Sequence, residues 1–267
     1  TCQWRPAAGT FDGWPKTAKE LKCLDPCMGS GHFVVAMFER LVALRMAEEK
    51  LDEATAVAAV IRDNLFGLEI DPRCTQIAAF NLALAAWRRV GHRPLPAMNL
   101  ACSGLAPNTD LEKWLKIVDA ASSRMKSGET RQDAAATLRL RGGMERLYRL
   151  FQKAAVLGSL INPRAGEGDL LVAAFHELQP LLEKALKVEE ASSLSKSGNQ
   201  SLEGSATLHE SAVTAQGIAK AAEILAGQFT LVATNVPFVG RPEQTEPLRD
   251  YCDRFHTDAR QDLATCF

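Results

Sequence analysis

Apolar residues follow two rhythms along this chain of 267 residues. Residues 21–25 and 65–70 are short apolar runs that stop at a Pro or an Asp-Pro, and helical spacing follows each. Runs of the first kind read as strands buried on both faces, and the second kind as helices laid against them. From His32, the residues Phe33, Val34, Met37, Phe38, Leu41, Val42 and Leu44 fall on one side of a helix, and a second helix spans 53–62. Asp71-Pro72 opens another, with Asp as cap and Pro in the first turn, and it runs to Gly91. Residues 98–102 form a weaker third strand. Residues 230–233 read as one more buried parallel strand, which ends abruptly in Asn235-Val236-Pro237-Phe238.

This alternation predicts an α/β fold: a parallel sheet with right-handed crossovers and helices on both faces. Residues 1–20 are an irregular lead-in, 21–106 the first half of the sheet, and 229–267 the start of a second half. Between them, 107–228 predicts a large, mainly helical insertion with helices over 111–125, 134–157, 170–188 and 213–225. Gly142-Gly143 is expected to split the second of these by a turn, and the Ser/Gly-rich stretch near 191–211 to be a mobile loop.

With 46% hydrophobic and 24% charged residues, the chain has room for one large domain or two small ones. A net charge of −1 gives no global sign of nucleic acid, although one local basic face suffices for DNA. Seven cysteines, an odd number without any CxxC pair, predict free thiols in a reducing cytoplasm and no metal site. No apolar run reaches the length of a membrane span, so no membrane partner is expected. The chain starts without Met and ends in an apolar segment, which reads as a fragment.

Candidate chemistry collects at the strand ends, where open α/β sheets bind ligands. Asp25-Pro26-Cys27-Met28-Gly29-Ser30-Gly31-His32-Phe33 joins the first strand to the first helix. Gly29 and Gly31 permit positive φ and close backbone approach, and the helix start offers unpaired N–H groups to a carboxylate or phosphate. Asp25 can accept from an ammonium or hydroxyl. The loop is neither a Walker loop nor the G-x-G-x-x-G signature. Glu69, ending the second strand, can accept both hydroxyls of a ribose, or serve as a helix-start charge, a role that suits Asp71 better. Ile70 can lie against an adenine ring or in the core. Asn235 and the Val236 carbonyl can both accept from one exocyclic amine, Pro237 ends the ladder, and Phe238 offers a stacking face.

D-P-C-M-G-S-G-H-F, N-L-F-G-L-E-I-D-P-R and N-V-P-F, in that order, resemble the S-adenosylmethionine-dependent DNA adenine-N6 methyltransferases. The order is similar to their γ arrangement, and the nearest likeness is to large methylases of type IIG restriction–modification and BREX-like phage-defence systems. The resemblance implies a Rossmann-like methyltransferase sheet, with S-adenosylmethionine as cofactor and double-stranded DNA as partner. A nuclease or other defence-system subunits are possible further partners, and the resemblance leaves open whether one accompanies the enzyme. By it, Asp25, Pro26, Cys27, Gly29, Ser30, Gly31 and Phe33 hold the methionine end, Glu69 the ribose and Ile70 the adenine. Asn235, Val236, Pro237 and Phe238 are then catalytic and receive a flipped adenine. The chain departs from the family at Val236, where Pro is usual, and at Cys102-Ser103, where an Asp commonly reads the cofactor's adenine amine.

Two other readings compete. One is methylation of a protein glutamine at N5, and the other a catalytically inactive module that binds cofactor or DNA. Two or three βαβ steps of about 30 residues would put the tetrapeptide roughly 90 residues past Gly31, and the actual gap is about twice that. Such an insertion suits a multi-domain DNA methylase better than a compact protein methylase. Within it, Arg131, Arg139, Arg141, Arg146, Arg149, Lys153 and Arg164 face only Asp133 and Glu145, which makes this segment the candidate DNA-backbone contact.

Overall fold

The computed structural model describes residue 13 and residues 15–123, 131–164 and 202–267. Four parallel strands form its sheet: β1 (Cys23–Asp25), β2 (Leu65–Glu69), β3 (Asn99–Cys102) and β4 (Leu231–Val232), in the order β3-β2-β1-β4. In register, Cys23 lies opposite Leu65 on one side and Leu231 on the other, and Phe66 opposite Asn99. Helices α1 (His32–Glu49) and α2 (Glu53–Asp63) connect β1 to β2, and α3 (Pro72–Val90) connects β2 to β3. As expected, the Asp71 side chain caps α3 by accepting from the Arg73 N–H at 2.8 Å, and Pro72 fills its first turn.

Strand side chains alternate between two cores, as the pleat requires. Cys23, Leu65 and Leu100 face a core shared with Val34, Phe38, Val60 and Leu82 of α1 to α3. Leu24, Leu68 and Ala101 face the opposite core. That second layer comes from the 107–228 segment: α4 (Leu111–Ser123), α5 (Arg131–Phe151), the short α6 (Ala154–Leu157) and α7 (Leu202–Leu225). These helices cover the second face of the sheet, so the described part of the segment is a structural layer of the fold.

Three expectations differ from the structure. Gly142-Gly143 does not break α5, which runs unbroken across both glycines. The fully buried Trp114 of α4 donates from Nε1 to the Met144 carbonyl at 3.1 Å, and Met144, Leu147 and Phe151 are buried beside it. That burial outweighs the roughly 1 kcal/mol helix cost of each Gly. The stretch from 202 to 211, expected as loop, is the start of α7, and Ser211 and Ala212 are already buried; 191–201 and the helix expected at 170–188 lie outside the described residues. Lastly, β4 is parallel but not buried. It is a two-residue edge strand, with Leu231 47% and Val232 56% exposed, because only β1 pairs with it among the described residues. An apolar run alone does not tell an edge strand from a central one.

The strand order has a consequence for ligands. The chain leaves β1 towards β2 and β3, then returns to β4 on the other side of β1. The switch point lies between β1 and β4, and a crevice at their carboxyl ends is the favoured ligand position.

Candidate active site

At that switch point a cavity of about 540 Å³ opens. This is within the usual size range for small-molecule sites. Eight of the thirteen candidate residues line it: Pro26, Cys27, Glu69, Ile70, Asn235, Val236, Pro237 and Phe238. Asp25 stands immediately behind them at the β1 tip. Gly29, Ser30, Gly31 and Phe33 do not line the cavity. Ser30 turns its hydroxyl to His32 Nδ1 (3.0 Å), and its carbonyl accepts from Asn81 (2.9 Å). Phe33 is exposed on the first turn of α1.

The two loop glycines do different work. Gly29 has φ +53°, and a Cβ there would meet nothing within 4 Å, so its backbone faces open space. Gly31, at φ +86°, caps α1, and a Cβ would lie 2.9 Å from the Ala78 Cβ. Its positive φ and the close approach expected there both appear, and the close approach is that of α1 to α3.

Glu69 ties the crevice together. One carboxylate oxygen accepts from the Gly29 N–H at 2.8 Å and the other from the Asp71 N–H at 3.1 Å. A carboxylate has about four lone-pair sites, so two acceptor positions remain for hydroxyls. The side chain is thus both a clamp on the glycine loop and a fit for a diol.

Asp25 is 0% exposed, and only Oδ1 is satisfied, by the Cys27 N–H at 3.2 Å. Oδ2 is buried with no hydrogen-bond partner, and so is Thr234 Oγ1 at the tip of β4. Burial pushes the Asp25 carboxyl above its ordinary range; the nearby Thr234 hydroxyl and the Cys27 N–H oppose this, and the Glu69 charge adds to it. A buried, half-satisfied carboxylate is costly unless a donor reaches it. A ligand ammonium would be such a donor. Burial also drives the Cys27 thiol up to about 12, with the Asp25 and Glu69 charges adding to it, so this cysteine stays protonated and is no nucleophile.

A sign follows for Asp25. Its folded-state pKa lies above the ordinary value, so the folded chain holds that proton more tightly than the unfolded chain. Its contribution to stability is therefore full below the ordinary carboxylate pKa and is lost as pH rises through the raised one. Asp25→Asn is expected to unfold at a higher denaturant midpoint than the parent at pH 7, with the gap closing in acid. Equal midpoints at pH 7 would show that the unsatisfied carboxylate costs the fold nothing.

Asn235 stands exposed at the cavity rim beside Phe238, which is 79% exposed. The chain beyond is fastened down. The Val239 carbonyl accepts from the Leu263 N–H (3.0 Å), and Arg241 donates to Asp253 on α8 (Glu246–Phe255) at 2.6 Å. Leu263 and Phe267 close that side of the cavity. Sequence reasoning missed these residues, as it missed Thr234 and the wall built by residues 156–160. For Thr234, its place directly before Asn235 was a usable signal; for the wall there was none.

No protein-family model matches the chain. Over 94% of its length it is 24% identical to an adenine-specific methyltransferase, PglX, of Lacticaseibacillus casei. Over 93% it is 24% identical to the adenine-specific methyltransferase BrxX of Escherichia coli. A shorter stretch of 77 residues is 38% identical to PglX of Streptomyces coelicolor. The chain is similar to adenine-specific methyltransferases. The likeness expected from the motifs is thus borne out over most of the chain, insertion included. The chain spans about a fifth of the length of the first two relatives, 18% and 20%.

No helix among the described residues is long and apolar enough to cross a membrane. Among the same residues no cluster of three or more His, Cys, Asp or Glu could hold a metal ion, and six cysteines are free thiols.

Proposed function

We propose that this chain is the Rossmann-like part of a DNA adenine-N6 methyltransferase of a restriction–modification or phage-defence system, with residues 21–106 holding S-adenosylmethionine and 229–267 starting the catalytic half. The observation that carries the reading is the buried Asp25 carboxylate, with Oδ2 unpartnered, behind one cavity that Glu69 and Asn235–Phe238 share. When bound, the cofactor supplies an electrophilic methyl on a sulfonium. Asp25 would take its ammonium, Gly29 would allow the close approach, Glu69 would accept its ribose hydroxyls, and Ile70 would pack on its adenine.

The target amine is a poor nucleophile because its lone pair is delocalised into the ring. The Asn235 amide oxygen and the Val236 carbonyl, accepting both N–H groups, favour a pyramidal nitrogen. No strong base is needed at the start, since the proton becomes acidic only as the new bond forms. Positioning and preorganised acceptors are the main contributions. Releasing the base from a duplex costs a few kcal/mol, and stacking on Phe238 offsets part of it. The test is transfer of labelled methyl to duplex DNA, against the same DNA carrying N6-methyladenine at every adenine. Label is expected in the first only; equal labelling of both would remove adenine N6 as the target.

DNA contact by α5 is part of the proposal. Arg141, Arg146 and Arg149 are exposed on this helix, with Arg149 paired to Glu145 at 2.6 Å. Arg164 does not belong to that set, because its guanidinium donates to the Ala226 carbonyl and holds the start of the β4 approach. Changing Arg146 and Arg149 to Ala is expected to weaken binding to all DNA sequences alike and to flatten the salt dependence by about one unit per lost contact. An unchanged salt slope would leave α5 as ordinary surface.

A further inference from the structure

The wall formed by residues 156–160 touches both halves of the cavity. Ser159 donates its hydroxyl proton to the Pro26 carbonyl at 2.6 Å, across 133 residues of sequence. Its oxygen lies 3.1 Å from the hydroxyl of Ser103, which is 0% exposed at the tip of β3. The Ser159 proton is already committed to Pro26, so Ser103 must be the donor in that second contact. The result is a relay in one direction, Ser103 to Ser159 to the Pro26 carbonyl, in which each bond polarises the next. Ser103 is held in turn by its own N–H, which donates to the Glu69 carbonyl at 2.8 Å. One residue of the helical segment therefore links the tips of β1, β2 and β3.

Its neighbour acts on the other half. Gly158 has φ +49°, and a Cβ there would sit 3.1 Å from Ile70 Cδ1 and 3.3 Å from Cγ1. A side chain would be strained in its backbone and would crowd Ile70. Tyr251 of α8 fixes the same turn by donating to the Leu160 carbonyl at 2.5 Å.

We propose that the turn Gly158–Leu160 sets the shape of the cofactor cavity, with Ser159 a positioning residue for the methionine end through Pro26 and Gly158 a spacer for the adenosine end through Ile70. This rests on the methyltransferase reading, and it gives the helical segment a role in cofactor binding. Calorimetry of the full chain with S-adenosylmethionine, S-adenosylhomocysteine and adenosine tests it. Ser159→Ala is expected to bind both sulfur-containing ligands about tenfold more weakly, with adenosine affinity unchanged. Ser159→Thr restores them and Ser159→Val does not, a comparison that stands even if the alanine variant fails to fold. Gly158→Ala weakens all three ligands. A Ser159→Ala variant that binds S-adenosylhomocysteine as the parent does, or that loses adenosine equally, overturns the inference alone. A parent chain that binds none of the three overturns the methyltransferase reading as well.

Discussion

Asn235→Ala is expected to slow methyl transfer by about 10²-fold or more, while cofactor affinity stays close to that of the parent. The size follows from losing one preorganised acceptor in the proposed mechanism, where orientation and electrostatics are the main contributions. The separation follows from geometry. Asn235 stands exposed at the rim on the β4 side, whereas Asp25, Glu69 and the glycine loop sit at the tips of β1 and β2. Among the described residues the Asn235 amide makes no hydrogen bond that the fold would lose, so the variant should keep its unfolding midpoint. Single-turnover rates with labelled cofactor, alongside calorimetry, separate the two effects. Near-parental turnover would remove Asn235 from the reaction.

Glu69→Ala is the second large effect, and it falls on binding. The substitution removes the acceptor proposed for the ribose and also releases the Gly29 N–H, which Glu69 holds at 2.8 Å. Hydrogen bonds to a charged group contribute about 1.5–3 kcal/mol, so the cofactor should bind about 10- to 150-fold more weakly. Glu69→Gln is informative beside it, because an amide has one acceptor oxygen where the carboxylate uses two, for Gly29 and Asp71. It should fall between parent and alanine. Unchanged affinity in Glu69→Ala, with a lowered unfolding midpoint, would reduce Glu69 to a clamp of the loop.

What was legible in the chain is what local chemistry decides. β1, β2 and β3 end where Pro26, Asp71-Pro72 and Ser103-Gly104 end the apolar runs, and Asp71 and Gly91 bound α3 as their residue types require. The eight cavity residues were legible because three short motifs each sit at a strand tip, and parallel strands bring such tips together.

What was not legible depends on partners far away in sequence. Among the described residues β4 pairs with β1 alone, and the apolar run at 230–233 does not reveal how many neighbours a strand has. The continuity of α5 through Gly142-Gly143 comes from Trp114, about thirty residues earlier. Gly31 carries the composition of a ligand loop, yet it is needed where α1 meets Ala78 of α3. Ser159 has no local signature at all, and its meaning comes only from Pro26 and Ser103.

The proposed function requires methyl donor and target amine to meet in the cavity that Asn235–Phe238 line and behind which Asp25 stands. Nucleoside mass spectrometry after reaction of the full chain with S-adenosylmethionine and unmethylated duplex DNA tests it most directly. N6-methyladenine in the parent reaction, absent with Asn235→Ala and reduced at limiting cofactor with Asp25→Asn, is the expected result. A methyl group found on cytosine, on a glutamine of an added protein, or on no substrate at all would contradict it.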